Sequence, residues 1–313
     1  MNINKILLIG GSGFIGSSIA EQLTVRGYFV TVPTRRRERA KHLLILPTVD
    51  VVDADVHDPK VLLDLIRQHD AVINLIGILH GDFEREHVAF PKLVAEACVA
   101  AGVPRLIQMS ALNANVSAPS RYLASRGRGE AAVWAVAKAN PALRVTVFQP
   151  SVVFGENDKF LNMFADLVSL FPVVPLGSPD AQFQPVWVED VARAVAASVA
   201  MSAAYGKTWP LVGPKVYTLR QLLEMVIAFT GKKRLVLGLG AGLSMLQATV
   251  FEFLPGKLIT RDNLRSMRIP STSATPFPAL FGSASAMESV VGSYLHGRTG
   301  RARYPSFRDN AGR

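Results

Sequence analysis

Residues 10–16 read Gly10-Gly11-Ser12-Gly13-Phe14-Ile15-Gly16, after the apolar run Ile6-Leu7-Leu8-Ile9 and before an amphipathic segment. Between a strand and a helix, this spacing makes a phosphate cradle. Gly10 permits the tight turn, Gly13 lets backbone approach a pyrophosphate, and Gly16 lets the helix pack on the strand. The helix N-terminus then offers N–H groups to the phosphates. The expected ligand is a dinucleotide. The end of the next apolar run selects which one. A carboxylate there would hold a ribose 2′-hydroxyl. This chain instead has Thr34-Arg35-Arg36-Arg37. Arg35 or Arg36 can clamp a 2′-phosphate through charge-assisted hydrogen bonds, so NADP(H) is expected over NAD(H). Arg37 and Arg39 read as a solvated cluster.

The elements that must position these residues alternate. Strand candidates are Ile6–Ile9, Phe29–Val32, Val49–Val52, Ala71–Leu75, Leu106–Met109 and Val145–Phe148. Helix candidates between them are Phe14–Arg26, Pro59–Arg67, Val88–Ala101 and Ser125–Ala139, with Gly27, Gly102 and Pro141 at their ends. This order predicts an α/β fold: a Rossmann-type doubly wound parallel sheet. Residues 1–150 form its core, completed by parts of 151–230. After Pro150, prolines including Pro172, Pro185 and Pro210 break the pattern, with helices expected at Val191–Met201 and Leu219–Thr230. Residues 151–295 read as a smaller C-terminal substrate-side portion. The basic tail His296–Arg313 is expected to be loosely ordered or partner-bound.

Bulk properties exclude several classes. With 49% hydrophobic and 19% charged residues in 313, disorder is excluded for most of the chain. The single cysteine, Cys98, excludes an internal disulfide or a cysteine-based zinc site and fits a reducing compartment. His42, His80 and His87 lack metal-ligand spacing, and His57 beside Asp55 and Asp58 reads as loop chemistry, so no metal site is expected. No charged leader precedes the first strand, so no signal peptide is expected. The longest apolar stretch, Leu235–Leu254, is interrupted by Gly238, Gly240 and Gly242, so no transmembrane helix is expected either. Within it Leu243, Leu246, Val250, Phe253 and Leu254 approximate one helical face: core, a subunit contact, or a lip at a membrane. The expected location is cytoplasmic, with a peripheral place at the inner face of the membrane as an option. A net charge of +10 suits a soluble basic protein, or one drawn to a phosphate-bearing ligand, an anionic lipid surface or, least of all, nucleic acid.

The chain resembles the extended and atypical short-chain dehydrogenase/reductases of the NAD-dependent epimerase/dehydratase type. Gly10–Gly16 is similar to their loop. Asp55-Val56 resembles their adenine-contacting pair, and Asn74-Leu75-Ile76-Gly77 their nicotinamide-ribose segment. Gln149-Pro150-Ser151-Val152-Val153-Phe154-Gly155 resembles the segment flanking the nicotinamide. Pro185–Ala192 resembles a late helix start that Asp190 would cap. Within that superfamily, Lys159–Ala165, Gly213–Leu219 and Arg261-Asp262-Asn263-Leu264 resemble the nucleotide-binding accessory subunit of respiratory complex I and its bacterial relatives.

The resemblance implies a catalytic set of Tyr, Lys four residues on, and a Ser or Thr after the fifth strand. The phenol transfers the proton, and the ammonium lowers its pKa from about 10 and holds the ribose. Here Tyr122 is followed at that spacing by Arg126, which keeps the charge but is bulkier and effectively never deprotonated. The hydroxyl falls at Ser110, or in the neighbouring register at Ala111, which has none. Tyr122 then either does chemistry or is only a ribose or helix-face contact. Three readings remain open. The first is an NADP(H)-binding accessory or assembly protein of weak or no turnover, with a respiratory-complex or membrane-surface partner. The second is an active reductase, epimerase or dehydratase on a sugar nucleotide, quinone precursor or other carbonyl compound. The third is a basic RNA- or membrane-binding module.

Overall fold

The computed structural model of the protein describes residues 3–252 and 260–295, the side chain of Arg39 excepted. Phe253, Leu254 and the tail His296–Arg313 lie outside the described residues.

The chain divides into two compact units. The first comprises 1–150, 188–211 and 275–283. Its strands are β1 (Lys5–Ile9), β2 (Phe29–Thr34), β3 (Val49–Asp53), β4 (Ala71–Asn74), β5 (Arg105–Met109), β6 (Arg144–Pro150) and β11 (Lys207–Leu211). They form one seven-stranded sheet in the order β11-β6-β5-β4-β1-β2-β3, every pair parallel. Its helices are α1 (Phe14–Val25), α2 (Pro59–Arg67), α3 (Phe90–Ala101), α4 (Arg121–Ala139) and α6 (Val188–Ser198). The buried strands are near-continuous apolar runs, as a parallel sheet covered by helices requires. Leu7, Ile9, Val72, Leu106, Val145 and Val147 share a core with Leu62, Ile66, Val94, Cys98 and Val133. Burial pushes the Cys98 thiol up to about 12, so it acts as a small apolar side chain. α1 and α6 pack on each other.

Three departures from the sequence reading have physical causes. β11 contains Pro210, which read as a breaker. It lies on the sheet edge beside β6, where a missing N–H is tolerated. α4 starts four residues earlier than expected because Ser120 caps it, its Oγ accepting from the Leu123 N–H at 3.1 Å. α6 starts at Val188, so Asp190 is not its N-cap. The buried Asp190 carboxylate instead meets Arg193 at 2.7 Å. Arg193 in turn donates to the Phe281 and Ser283 carbonyls at 3.0 and 2.6 Å.

The second unit comprises 151–187, 212–274 and 284–313. Its described strands are β7 (Val153–Phe154), β8 (Val173–Gly177), β9 (Gln182–Phe183), β10 (Val186–Trp187), β12 (Tyr217–Thr218) and β13 (Leu235–Leu239). They pair as β10-β7, β12-β9 and β13-β8. Its described helices are α5 (Phe160–Leu170), α7 (Leu219–Thr230), α8 (Ala241–Glu252), α9 (Arg261–Ser266) and α10 (Met287–Leu295). Leu161, Phe164, Val168, Leu222, Val226 and Val291 share its core. A capping box of Thr218 and Gln221 starts α7, and left-handed Gly231 ends it.

The first unit rests on one buried ion. Arg105 is fully buried, and burial lowers its guanidinium to about 10. It donates to the Val199, Ser198 and Arg144 carbonyls at 3.1, 2.8 and 2.9 Å, and lies 4.4 Å from the Tyr205 ring centroid. It thus satisfies carbonyls at the end of α6 that a helix leaves open. Arg105→Met should cost roughly 2–4 kcal/mol, since buried acceptors lose a charged donor. The expected readout is a lower denaturant midpoint with an unchanged slope; an unchanged midpoint would refute the role.

Candidate functional site

The loop after β1 is shaped by close approach. Gly10 has φ +81°, and the Gly13 N–H donates to its carbonyl at 3.1 Å. A Cβ on Gly16 would stand 2.5 Å from the Gly10 oxygen, so α1 reaches the loop only as glycine. Gly13 differs. A Cβ there would meet only the Gly10 oxygen, at 3.4 Å. The chain itself leaves room for a methyl, and that room is the cradle a phosphate would fill. Gly13 is the N-cap of α1 and no side chain caps the helix. A bare helix N-terminus behind small residues fits a dinucleotide pyrophosphate. Ser12, Phe14 and Ile15 complete the turn.

Thr34 closes β2, and its Oγ1 accepts from the Arg36 N–H at 3.2 Å. Arg35 and Arg36 are exposed. The turn that follows them, Arg37–Ile45, is tied back to α1: His42 Nε2 lies 2.8 Å from Ser17 Oγ. Asp55 accepts from the His57 N–H at 3.1 Å and lies 3.3 Å from its Nδ1. Chiefly the backbone bond, with the ring and Arg35 assisting, holds its carboxyl below the usual carboxylate range. His57 Nε2 reaches Glu86 Oε2 at 3.0 Å. Val56 is buried.

After β4, the buried Asn74 sets the turn: its Oδ1 accepts from the Ile76 N–H at 3.2 Å, and its Nδ2 donates to Gln108 at 2.9 Å. Leu75 Cβ lies 3.3 Å from where a Gly10 Cβ would be, so this segment borders the phosphate loop. Arg126 converges on it from α4. Its Nη1 donates to the Ile76 carbonyl at 3.1 Å and the Met109 carbonyl at 3.4 Å. Its guanidinium covers Gly77, where any Cβ would collide with it. It also stands 5.6 Å from the Tyr122 ring centroid. Ser110 follows β5, and its buried Oγ has no hydrogen-bond partner among the described residues; Ala111 is buried beside it in sequence. Pro150 ends β6 and accepts from the Leu112 N–H at 2.9 Å. Ser151 and Val152 belong to the second unit, where Ser151 Oγ donates to the Ser271 carbonyl at 2.9 Å.

Sequence reasoning weighed His87 only as a metal ligand. It sits on a π-helical segment, Glu84–Ala89. Its Nε2 accepts from the Ile78 N–H at 3.0 Å, so the proton is on Nδ1, which donates to Ser125 Oγ at 2.9 Å. Ser125 Oγ donates to the Tyr122 carbonyl at 2.8 Å. The His87 and Tyr122 ring centroids are 5.5 Å apart. The pattern gave no signal, because His87 works through one backbone N–H and one serine hydroxyl that lie far from it in sequence. Burial first, and Arg126 second, push it down from 6.5 to about 3.

That shift has a sign. Between pH 6.5 and about 3, the unfolded chain protonates His87 and the native fold does not, so stability falls with pH through this window. The loss should reach roughly 2 kcal/mol by pH 5. His69, also lowered mainly by burial, acts in the same direction and stays in place in the comparison. His87→Gln should flatten the stability profile between pH 7 and 5, read by denaturant melts. A profile as steep as wild type would remove His87 as its source.

Comparison with known proteins agrees with this geometry. The chain is 32% identical over 233 residues to the mitochondrial NADH dehydrogenase (ubiquinone) 1 alpha subcomplex subunit 9 of Arabidopsis thaliana, covering 70% of this chain and 56% of that protein. It is 29% identical over 284 residues to the subunit of the same name from Rattus norvegicus, covering 87% and 74%. The chain thus spans little more than half the length of the plant relative. A nucleoside-diphosphate-sugar epimerase from Staphylococcus aureus shares the fold, with a TM-score of 0.71 at 15% identity over 93% of this chain and 99% of that one. Residues 6–209 match the NAD dependent epimerase/dehydratase family, and with that match covering most of its length, the chain belongs to this family.

Proposed function

We propose that this chain is an NADP(H)-binding accessory or assembly protein of a respiratory complex, peripheral to the cytoplasmic face of the membrane, with weak or no turnover. The observation that carries the reading is the bonding of Arg126. Where active relatives would place an ammonium to hold the ribose and assist the phenol, the guanidinium here is engaged by the Ile76 and Met109 carbonyls. It retains the charge and braces the segment after β4, but makes a poor proton relay. The names of the plant and rat relatives support the partner. Bound at Gly10–Gly16, the dinucleotide supplies a hydride donor or acceptor; in this reading it acts chiefly as a staple. A ligand at a hundred times its Kd stabilises by about 2.7 kcal/mol.

Purified protein should release NADP(H) on denaturation, and NADP+ should raise the melting temperature more than NAD+ does. Arg35→Ala with Arg36→Ala should weaken NADP+ by roughly 10- to 100-fold, the worth of charged hydrogen bonds to a phosphate, and leave NAD+ unchanged. A large shift with NAD+ and none with NADP+ defeats the 2′-phosphate assignment.

One observation favours the second reading, an active NADPH-dependent reductase, epimerase or dehydratase. Ser110 Oγ is buried and unpartnered, as a hydroxyl awaiting a substrate would be. A panel of sugar nucleotides, quinone precursors and other carbonyl compounds decides between them. The accessory reading expects no turnover above background. Rapid turnover that Tyr122→Phe abolishes without weakening cofactor binding would establish the enzyme instead.

A further inference from the structure

Part of the second unit presents large apolar side chains on its outer face. In the β8–β13 pair, Val174, Leu176 and Val236 face the core. By register, Val173, Pro175, Leu235 and Leu237 occupy the opposite face. A solvated sheet face is polar, yet here Leu235 and Leu237 are 57% and 47% exposed. α8 does the same. It turns Ser244 and Ala248 inward and leaves Leu243, Leu246 and Val250 at 59%, 60% and 52% exposure. Positions i, i+3 and i+7 of one helix make that stripe. Two hydrogen bonds place α8 beside β8: Gln247 Nε2 to the Pro175 carbonyl at 2.9 Å, and the Ser178 N–H to Ser244 Oγ at 3.2 Å. Leu170, 74% exposed, and Phe171 extend the surface from the end of α5.

Three cations cluster at its edge, while Asp166 and Asp180 flank it and Glu252 is paired with Arg261. Lys232 Nζ lies 3.1 Å from Ser169 Oγ, and Arg234 Nε donates to the Val168 carbonyl at 2.6 Å. Lys232-Lys233-Arg234 therefore borders Leu170 and Phe171. Segments 167–177 and 232–251 contain these three cations and no Asp or Glu. No helix among the described residues is long and apolar enough to cross a membrane.

We infer that this face of β8, β13 and α8 docks on an anionic lipid surface. The leucines enter the boundary between headgroups and acyl chains, and Lys232-Lys233-Arg234 stays at the phosphates. Large apolar side chains kept outward on two adjacent elements, with Ser244 and Ala248 packed inward on α8, suit an apolar phase outside the protein. The basic cluster Lys232-Lys233-Arg234 selects lipid of opposite charge. The inference uses the second unit alone and stands whether or not the dinucleotide reading does.

Flotation of the full chain with vesicles tests it. Vesicles containing roughly a third phosphatidylglycerol should bind about a hundredfold more tightly than pure phosphatidylcholine, given about a fivefold factor for each of the three basic residues. Added salt should weaken the anionic case. Leu243→Glu with Leu246→Glu, at exposed positions, should abolish flotation while leaving the thermal melt and its NADP+ shift at wild-type values. Lys232→Gln with Lys233→Gln should cut anionic binding at least tenfold. The inference is overturned if neither vesicle carries the protein. It is equally overturned if the double glutamate variant still floats, which assigns the attraction to the basic segment 296–313. Lipid-free dimerisation lost in that variant, without flotation of the wild type, gives the face to a second copy of the chain.

Discussion

The nucleotide side of the first unit turns on the volume of one guanidinium. Arg126 is nearly buried, and a buried cation needs acceptors. Main-chain oxygens at Ile76 and Met109 provide them, on the condition that Gly77 carries no side chain. The condition propagates into α4. A Cβ at Gly129 would strike the His87 carbonyl, and one at Gly127 would stand 2.6 Å from the Asn115 Cα. Each helical glycine costs about 1 kcal/mol relative to alanine. The cost is borne because only glycine lets the helix come close enough for Arg126 to reach the strand ends.

The π-helical segment extends this bracing. A π turn carries an extra residue and re-aims its side chains. Glu86 turns toward His57, which holds Asp55 after β3. His87, its neighbour, accepts from Ile78 after β4 and donates to Ser125 on α4. One short segment therefore ties together two strand-end loops and the helix of Tyr122. Such a site is preorganised, which lowers the ordering cost of binding a ligand.

How legible this was depended on what encodes it. The sheet could be read because its strands are apolar runs of four to seven residues punctuated by glycine and helical periodicity. β11 was hidden because Pro210 is tolerated only by its edge position, a property of neighbours. The phosphate loop was readable as spacing, since close backbone approach demands glycine. The engagement of Arg126 was not, because its acceptors are carbonyls that every residue possesses. His87 escaped because its partners, the Ile78 N–H and the Ser125 hydroxyl, are brought to it by the fold and not by sequence spacing. In α8 the stripe of Leu243, Leu246 and Val250 was visible. Its direction was not: an apolar face looks the same in sequence whether it meets a core or the outside. Only the burial of Ser244 and Ala248 resolves it.

The electrostatics around α4 bear on whether chemistry accompanies binding. A general acid–base works best with a pKa near the operating pH, and histidine is the side chain most easily brought there. The histidine in contact with Tyr122 is held at about 3. Its two nitrogens are already committed, one accepting from a backbone N–H and the other donating to a hydroxyl. Moving a proton through it would break both bonds and place a second cation beside Arg126. The surroundings of Tyr122 thus resist an additional positive charge and keep the imidazole neutral. That arrangement suits a bound anion-bearing ligand held in fixed geometry better than repeated proton transfer, which supports the proposed reading of binding with weak or no turnover.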